Sequence, residues 1–309
     1  MYWRVTILQV TTLALIMFVG FGARKRGLLT QTIRKGIAGF LVSISLPIQI
    51  FASFSLAYSQ EMLVNGTLIF TLSLAIHYLA IGLTKGLYSK QALPIKAVFR
   101  YSSVFSNAAY IGFAILVPFY GDLGIFYASF YVMAFNVLSW TVGISFFTGK
   151  KEARKISELL KNPGLAAIGL GLLLFISPFT LPQILNQAFQ SIGSLNAPLA
   201  MLIIGATLAE ANLSSIFSGS IAYGISFLRL VLLPLLTLLI LSFLPLPAHI
   251  VTVLVLVTAM PAPAMTNIFA ERYGGDTFWA SKLVFLSTLL SILTIPFIVY
   301  LLQSLGYLG

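Results

Sequence analysis

The 309-residue chain contains no cysteine, two histidines and only seven acidic residues, against eighteen Lys and Arg. Without cysteine there are no disulfides and no thiolate metal ligands. His77 and His249 stand alone and far apart, too few to supply a zinc site. The acidic residues, Glu61, Asp122, Glu152, Glu158, Glu210, Glu271 and Asp276, are dispersed along the chain. An intramembrane prenyl- or phosphotransferase needs clustered Asp to hold Mg²⁺, and a membrane metalloprotease needs H-E-x-x-H. Neither pattern is present, so no catalysis, metal or cofactor is expected. Rings of like charge and filter-like loops, which would mark a channel, are missing as well.

Charge of either sign makes up 8% of the chain, apolar residues make up 59%, and the mean hydropathy is +1.01. Leu123–Gly149 runs without one charged residue. A helix needs about 20 predominantly apolar residues to cross a hydrocarbon core of roughly 30 Å. The apolar runs predict an all-α integral membrane protein of about ten spans, near residues 5–22, 34–55, 63–84, 97–119, 123–147, 163–181, 195–213, 217–243, 249–270 and 278–304.

The basic residues are distributed unevenly between the loops. Arg24, Lys25, Arg26, Arg34 and Lys35 flank the first loop; Lys85, Lys90, Lys96 and Arg100 the third; Lys150, Lys151, Arg154, Lys155 and Lys161 the fifth. Loops two, four, six and eight have none. This alternation is the positive-inside pattern, and it predicts a plasma-membrane protein with cytoplasmic odd loops and both termini outside. The net charge of +11 is thereby explained, and no nucleic-acid partner is expected. The first span is expected to be retained, because its basic cluster follows the apolar run and no A-x-A site closes it. Asn65-Gly66-Thr67 and Asn212-Leu213-Ser214 match the glycosylation sequon, a tripeptide that arises easily by chance.

A charged linker at residues 150–162 divides the chain into segments 1–149 and 163–309, each with room for five spans. Pro47 in span two is echoed by Pro198 in span seven. Phe119-Tyr120-Gly121-Asp122 followed by Tyr127-Ala128-Ser129 is echoed by Arg272-Tyr273-Gly274-Gly275-Asp276 followed by Trp279-Ala280-Ser281. With an odd number of spans per segment, the second copy enters the membrane from the opposite side. Inverted repeats of this kind are a common plan of secondary transporters, although a pore or an intramembrane enzyme can share the layout.

Chemistry is expected where spans are interrupted. Proline removes a backbone donor and frees upstream carbonyls. Pro234 reads as a packing kink. Met260-Pro261-Ala262-Pro263-Ala264 in span nine, with two prolines two residues apart, reads as a break. Its counterpart in span four is Ser106-Asn107-Ala108-Ala109-Tyr110-Ile111-Gly112. Asn107 either hydrogen-bonds a neighbouring helix or offers its amide to a ligand carboxylate. The candidate substrate-binding residues are thus the polar Asn107, Ser106, Gln49 and Asn267 and the helix breakers Gly112, Pro47, Pro198, Pro261 and Pro263. Asn136 in span five is expected to stand outside this set. His77 and Arg229 are the ionisable residues well inside spans and so candidates for an electrostatic role. His77 is also readable as a neutral polar contact, and Arg229 as a cap on the carbonyls of a broken helix or as a snorkelling side chain. Every carboxylate falls at a span end or in a loop, which disfavours a carboxylate proton relay, whereas sodium held by unwound carbonyls and hydroxyls stays open.

Ser106-Asn107-Ala108-Ala109-Tyr110-Ile111-Gly112-Phe113 followed by Tyr120-Gly121-Asp122 resembles the fourth-span motif of the auxin efflux carrier family, which includes the plant PIN-FORMED carriers and bacterial malate or malonate permeases. Ala259-Met260-Pro261 with Ile268-Phe269-Ala270-Glu271-Arg272-Tyr273 is similar to its ninth span. Ala197-Pro198-Leu199-Ala200-Met201 with Gly205-Ala206-Thr207-Leu208-Ala209 is similar to its seventh, and Leu228-Arg229-Leu230 with Pro234 to its eighth. The resemblance implies a carrier of small organic anions with ten spans in inverted repeats. Spans four and nine would be broken and cross at the substrate, Asn107 would meet the carboxylate, Pro261 would be the crossover proline, and an elevator-like shift would move the site. The family usually has Pro two residues after the span-four Gly; here that residue is Ala114, with Pro118 further on, so a break that is either milder or rests on Gly112 alone is expected. The expected partners are a small organic anion and the lipid bilayer, with a homodimer left open. A sodium-coupled organic-anion symporter of the bile-acid type is the alternative.

Overall fold

The computed structural model describes residues 2–149, 162–179, 181–210 and 217–308. Residues 150–161 of the linker and the sequon at 212–214 lie outside them. All regular structure among the described residues is helical. The chain begins with α1 (Tyr2–Lys25), α2 (Gln31–Ser53), α3 (Gln60–Thr84) and α4 (Leu93–Val104). Helix stops at Phe105–Asn107 and resumes in a widened π-helical turn, Ala108–Gly112, which leads into α5 (Phe113–Leu138). At Gly121 the α5 backbone turns sharply, with φ 54° and ψ −138°, a conformation open to glycine because it has no Cβ. A second π turn, Ser139–Gly143, joins α5 to α6 (Ile144–Thr148). The remaining helices are α7 (Pro163–Ile176), α8 (Gln183–Ser194), α9 (Asn196–Leu208), α10 (Ser220–Ser242), α11 (Ala248–Thr258), α12 (Met265–Tyr273) and α13 (Thr277–Ser304). Six of the helical stretches are long and apolar enough to cross a membrane, and α7 and α11 are shorter apolar helices. This is a multi-pass, all-helical membrane protein.

The described helices lie over the apolar runs picked out from sequence, and one further segment is helical as well. Residues 183–194, which fall between the expected spans six and seven, form α8 and run almost directly into α9. Gln, Asn and Ser supply its polar face and Ile184, Leu185, Phe189 and Ile192 its apolar one. Pro182 at its N-cap lacks only a donor that a helix start leaves unpaired anyway.

The prolines inside spans have different consequences. Pro47 and Pro234 each follow closely on a π-helical turn, Leu41–Ser45 in α2 and Leu228–Leu232 in α10, and both helices continue past them. A widened turn takes up the missing hydrogen bond and the clash with the upstream carbonyl that proline brings to a helix interior. Pro198 lies in the first turn of α9, where no intrahelical donor is needed. Pro261 and Pro263 alone among these sit in a true interruption, residues 259–264 between α11 and α12.

Close packing ties α1 to α9. A Cβ on Gly205 would overlap the Met17 carbonyl oxygen, and one on Gly20 would overlap that of Leu202. The two backbones therefore touch, the contact that small residues allow between membrane helices. Further along, Gly171 of α7 accommodates the ring of Phe54, which packs on Phe126 and Phe130 of α5.

Polar contacts at the helix ends sort the loops into two groups. Glu210 pairs with Arg24 at 2.6 Å and Arg34 at 2.7 Å, the Asp276 amide donates to the Pro94 carbonyl at 3.2 Å, and Lys282 Nζ donates to the Ser218 carbonyl at 2.6 Å. These join the first, third, seventh and ninth loops. In the other group Gln190 Nε2 donates to Asp122 Oδ2 at 3.1 Å and Asn65 Nδ2 lies 3.3 Å from His249 Nε2, joining the fourth loop to the sixth and the second to the eighth.

The α1–α9 contact makes a direct stability prediction. Gly205→Ala should cost at least the ~1–3 kcal/mol typical of overpacking, since the new methyl meets main chain rather than a movable side chain. Gly169→Ala, where no atom lies within 4 Å of the new Cβ, should be neutral or stabilising, because Ala is the better helix former by up to ~1 kcal/mol. Thermal unfolding of the two purified variants in one detergent checks the contrast.

Candidate functional site

Two interrupted helices meet at the centre of the candidate site. The α4 interruption is abrupt although no proline lies in it: Phe105 is extended at φ −96° and ψ 143°, and Asn107 has φ −77° and ψ 60°. The expectation of a break either milder or resting on Gly112 alone is therefore corrected. Gly112 lies beyond the break, faces Met260 and Val257 of the opposite interruption, and leaves room for a Cβ at 3.5 Å from Met260 Cγ. What holds the break open is tertiary. The Asn107 amide N–H donates to the Pro261 carbonyl at 2.8 Å, so each interruption supplies what the other lacks. The Ala262 N–H donates to Ser287 Oγ at 3.1 Å, and Thr266 Oγ1 donates to the Pro263 carbonyl at 2.7 Å.

Arg229 completes the satisfaction of these main-chain groups. Nε donates to the Met260 carbonyl at 3.1 Å, and Nη1 donates to the carbonyls of Val104 at 3.1 Å and Ser103 at 3.4 Å. The side chain is 1% exposed. One cation thereby caps the C-terminal carbonyls of α4 and a carbonyl just past the end of α11, the position where a helix dipole favours positive charge.

The N-terminal ends of the resumed helices face elsewhere. Residues Ala108–Tyr110 and Pro263–Met265 line a cavity of about 150 Å³, completed by apolar side chains of α2, α5 and α9 such as Leu46, Val132 and Ile204. Its polar side chains are Ser106, Asn107, Tyr110, Asn136 and Asn162, and none of its lining residues is charged. Asn107 is 3% exposed and Ser106 fully buried; neither Asn107 Nδ2 nor Ser106 Oγ makes a hydrogen bond. An unmatched buried donor costs about 1–3 kcal/mol, so an amide left in that state at a cavity wall beside two helix N-termini is a place for an acceptor, above all an anionic one.

Of the residues singled out from sequence, Asn107, Ser106 and Pro263 line this cavity and Pro261 anchors Asn107 through its carbonyl. The others lie apart from it. Gln49 Oε1 accepts from Asn196 Nδ2 at 2.7 Å and packs against Gly193, a contact of α2 with the α8–α9 junction. Pro47 and Pro198 sit within α2 and α9. Asn267 Oδ1 accepts from Ser281 Oγ at 3.0 Å and borders a separate cavity of about 60 Å³ with Ile203, Ile204 and Thr207. His77 Nδ1 donates to the Ser73 carbonyl at 2.7 Å, and its ring packs on Phe105 and Tyr131, beneath the break and outside the cavity.

Two cavity residues were missed. Asn136, expected to stand outside the site, lines the same cavity as Asn107. Its Nδ2 donates to the Val132 carbonyl at 3.0 Å, and its Oδ1 accepts from Asn162 Nδ2 at 3.2 Å. Asn162 Oδ1 in turn caps α7 through the amides of Gly164 and Leu165. The signal for Asn136 was the one used for Asn107, an Asn deep in an apolar run; Asn162, at the end of the charged linker, carried no such signal.

The model of the family described as "Membrane transport protein" matches residues 5–160 and 155–299 of the chain. The chain is 26% identical over 302 residues to "Uncharacterized transporter YfdV" of Escherichia coli K12, a match that covers 92% of this chain and 94% of the relative. Proteins of the same name from Escherichia coli O157:H7 and Shigella flexneri match to the same extent. The chain therefore belongs to the auxin-efflux-carrier-like membrane transport family, and is a transporter rather than an enzyme.

Proposed function

We propose that this protein is a secondary transporter that carries a small organic anion across the plasma membrane by elevator-type alternating access, with the Asn107 cavity as its substrate site. The observation that carries this reading is the buried Asn107 amide, unmatched in hydrogen bonding, at the wall of a cavity where two helices restart. Its donor geometry suits a carboxylate, because hydrogen bonds to an ionised acceptor are about twice as strong as neutral ones. Of the two substrate types in view, dicarboxylate and auxin-like carboxylate, the cavity favours the second. A second carboxylate would call for a cation or further free donors; the lining carries no charge, and of its other polar side chains, Tyr110, Asn136 and Asn162, the two Asn amides already donate, Asn136 to the Val132 carbonyl and Asn162 to Asn136.

The elevator component draws support from the make-up of the cavity. One side comes from α2, α7 and α9 and the other from the two interruptions and α5, so that sliding the crossover past the first group would carry a bound anion with it. In this reading the spans number ten, residues 1–149 and 163–309 form inverted five-helix repeats, and 150–162 is the cytoplasmic linker between them. The sorting of loop ends into an odd and an even group fits that arrangement, and the basic residues of loops one, three and five put the odd group in the cytoplasm and both termini outside.

Sidedness is tested in the cysteine-free chain by Glu61→Cys and Lys90→Cys. The first should react with a membrane-impermeant maleimide from outside intact cells and the second only after permeabilisation; reaction of both from outside would contradict the inverted arrangement. The substrate site is tested by thermal shift and binding on purified protein, with a panel of linear and aromatic monocarboxylates beside dicarboxylates of equal length. Monocarboxylates with an apolar body should bind more tightly. For the best binder, Asn107→Ala should raise Kd by about 10- to 150-fold, the equivalent of losing a ~1.5–3 kcal/mol hydrogen bond to a charged group. Asn107→Asp should be worse through like-charge repulsion, and Thr67→Ala, on an exposed face of α3, should leave Kd unchanged. Equal small effects at Asn107 and Thr67 would remove Asn107 from the site.

A further inference from the structure

We infer that Arg229 is a built-in cation standing where a coupling ion would bind, so that this carrier operates without sodium. The inference rests on the transport reading above and concerns what drives or balances the anion. Interrupted membrane helices free carbonyl oxygens, and in sodium-coupled carriers such unwound carbonyls and half-helix C-termini are the ligands of the ion. Here three carbonyls of that kind at the crossover, those of Ser103, Val104 and Met260, already accept hydrogen bonds from a single guanidinium at 3.4, 3.1 and 3.1 Å.

Several features make this guanidinium a component of the crossover rather than a chance contact. It is 1% exposed, although a buried cation is stable only when its charge is compensated. The two ion pairs of the described residues both involve Glu210, so the compensation at Arg229 comes from carbonyl dipoles. The Tyr131 hydroxyl lies within electrostatic reach, as does His77, whose ring nitrogen Nδ1 is committed to the Ser73 carbonyl. Neither contributes a carboxylate. Arg229 itself stands on the π-helical turn Leu228–Leu232 ahead of Pro234, and a widened turn of this type shifts the register at which a helix presents its residues and recurs at functional positions. A sodium ion among the same carbonyls would meet a fixed positive charge that cannot be deprotonated at any working pH. These three carbonyls hold one cation, and the chain supplies it.

The test uses the purified full-length protein and three probes: sodium chloride, guanidinium chloride far below denaturing concentrations, and urea as the neutral planar isostere of guanidinium. The thermal midpoint of the unaltered protein should be the same in sodium, potassium and choline chloride at equal ionic strength. Arg229→Ala should unfold at lower temperature, and guanidinium should restore at least half of the lost midpoint in a saturable way while urea does not. A saturable sodium-specific rise in the unaltered protein would overturn the inference, as would an equal response of Arg229→Ala to guanidinium and urea. Should Arg229→Ala not fold, the sodium comparison on the unaltered protein decides alone. The two readings fail separately. Retained carboxylate binding with sodium-specific stabilisation overturns the built-in cation and leaves the substrate site standing; sodium indifference with no effect of Asn107→Ala does the reverse.

Discussion

A helix that stops inside a membrane must find partners for its main-chain groups within the protein, since lipid offers none. Here two helices stop at the same place, and each meets the other's need. The Asn107 N–H reaches the Pro261 carbonyl at 2.8 Å, and Arg229 holds carbonyls from both interruptions at once. If either bond is removed the remaining groups become unsatisfied together, which makes the crossover a unit rather than two independent kinks. The widened turns at Leu41–Ser45 and Leu228–Leu232, by contrast, absorb their prolines locally and let α2 and α10 pass through unbroken.

The crossover also separates charge. Carbonyl ends point to Arg229, and the restarting N-terminal ends at Ala108 and Ala264 border the cavity. Each half-helix carries a partial negative charge at its C-terminus and a partial positive one at its N-terminus, so one side of the crossover suits a cation and the other an anion. The cation side is filled by the chain's own side chain. The anion side presents an unmatched amide and a cavity without charged residues, which fits transient occupation: a carboxylate held by dipoles and one amide is released more readily than one held by a full positive charge.

Much of this was legible in the sequence because the membrane imposes so few options. Apolar runs of span length gave the helices, the spacing of Pro261 and Pro263 gave one interruption, and Asn107 in an apolar run gave the polar group opposite it. Other features were hidden for physical reasons. The α4 interruption contains no proline, and its extended Phe105 lies between Val104 and Asn107, which are held by Arg229 and Pro261 from 125 and 154 residues further along the chain, contacts that local pattern does not encode. The helical form of residues 183–194 was masked by their polar composition, which reads as a loop when the other face is not weighed. Gln49 looked like a site residue on the same grounds as Asn107, yet its amide oxygen is taken by Asn196; a polar residue in an apolar run announces a partner without saying whether that partner is a ligand or a neighbour.

The division of the crossover into a cation side and an anion side can be seen directly by determining the structure with a brominated arylalkyl carboxylate in a sodium-containing buffer and locating bromine by its anomalous scattering. Bromine density inside the cavity, with the carboxylate at hydrogen-bond distance from Asn107 Nδ2 and the Arg229 guanidinium still on the carbonyls of Val104 and Met260, is the expected result. Carboxylate density away from Asn107, or a metal ion on those carbonyls with Arg229 displaced, would contradict it.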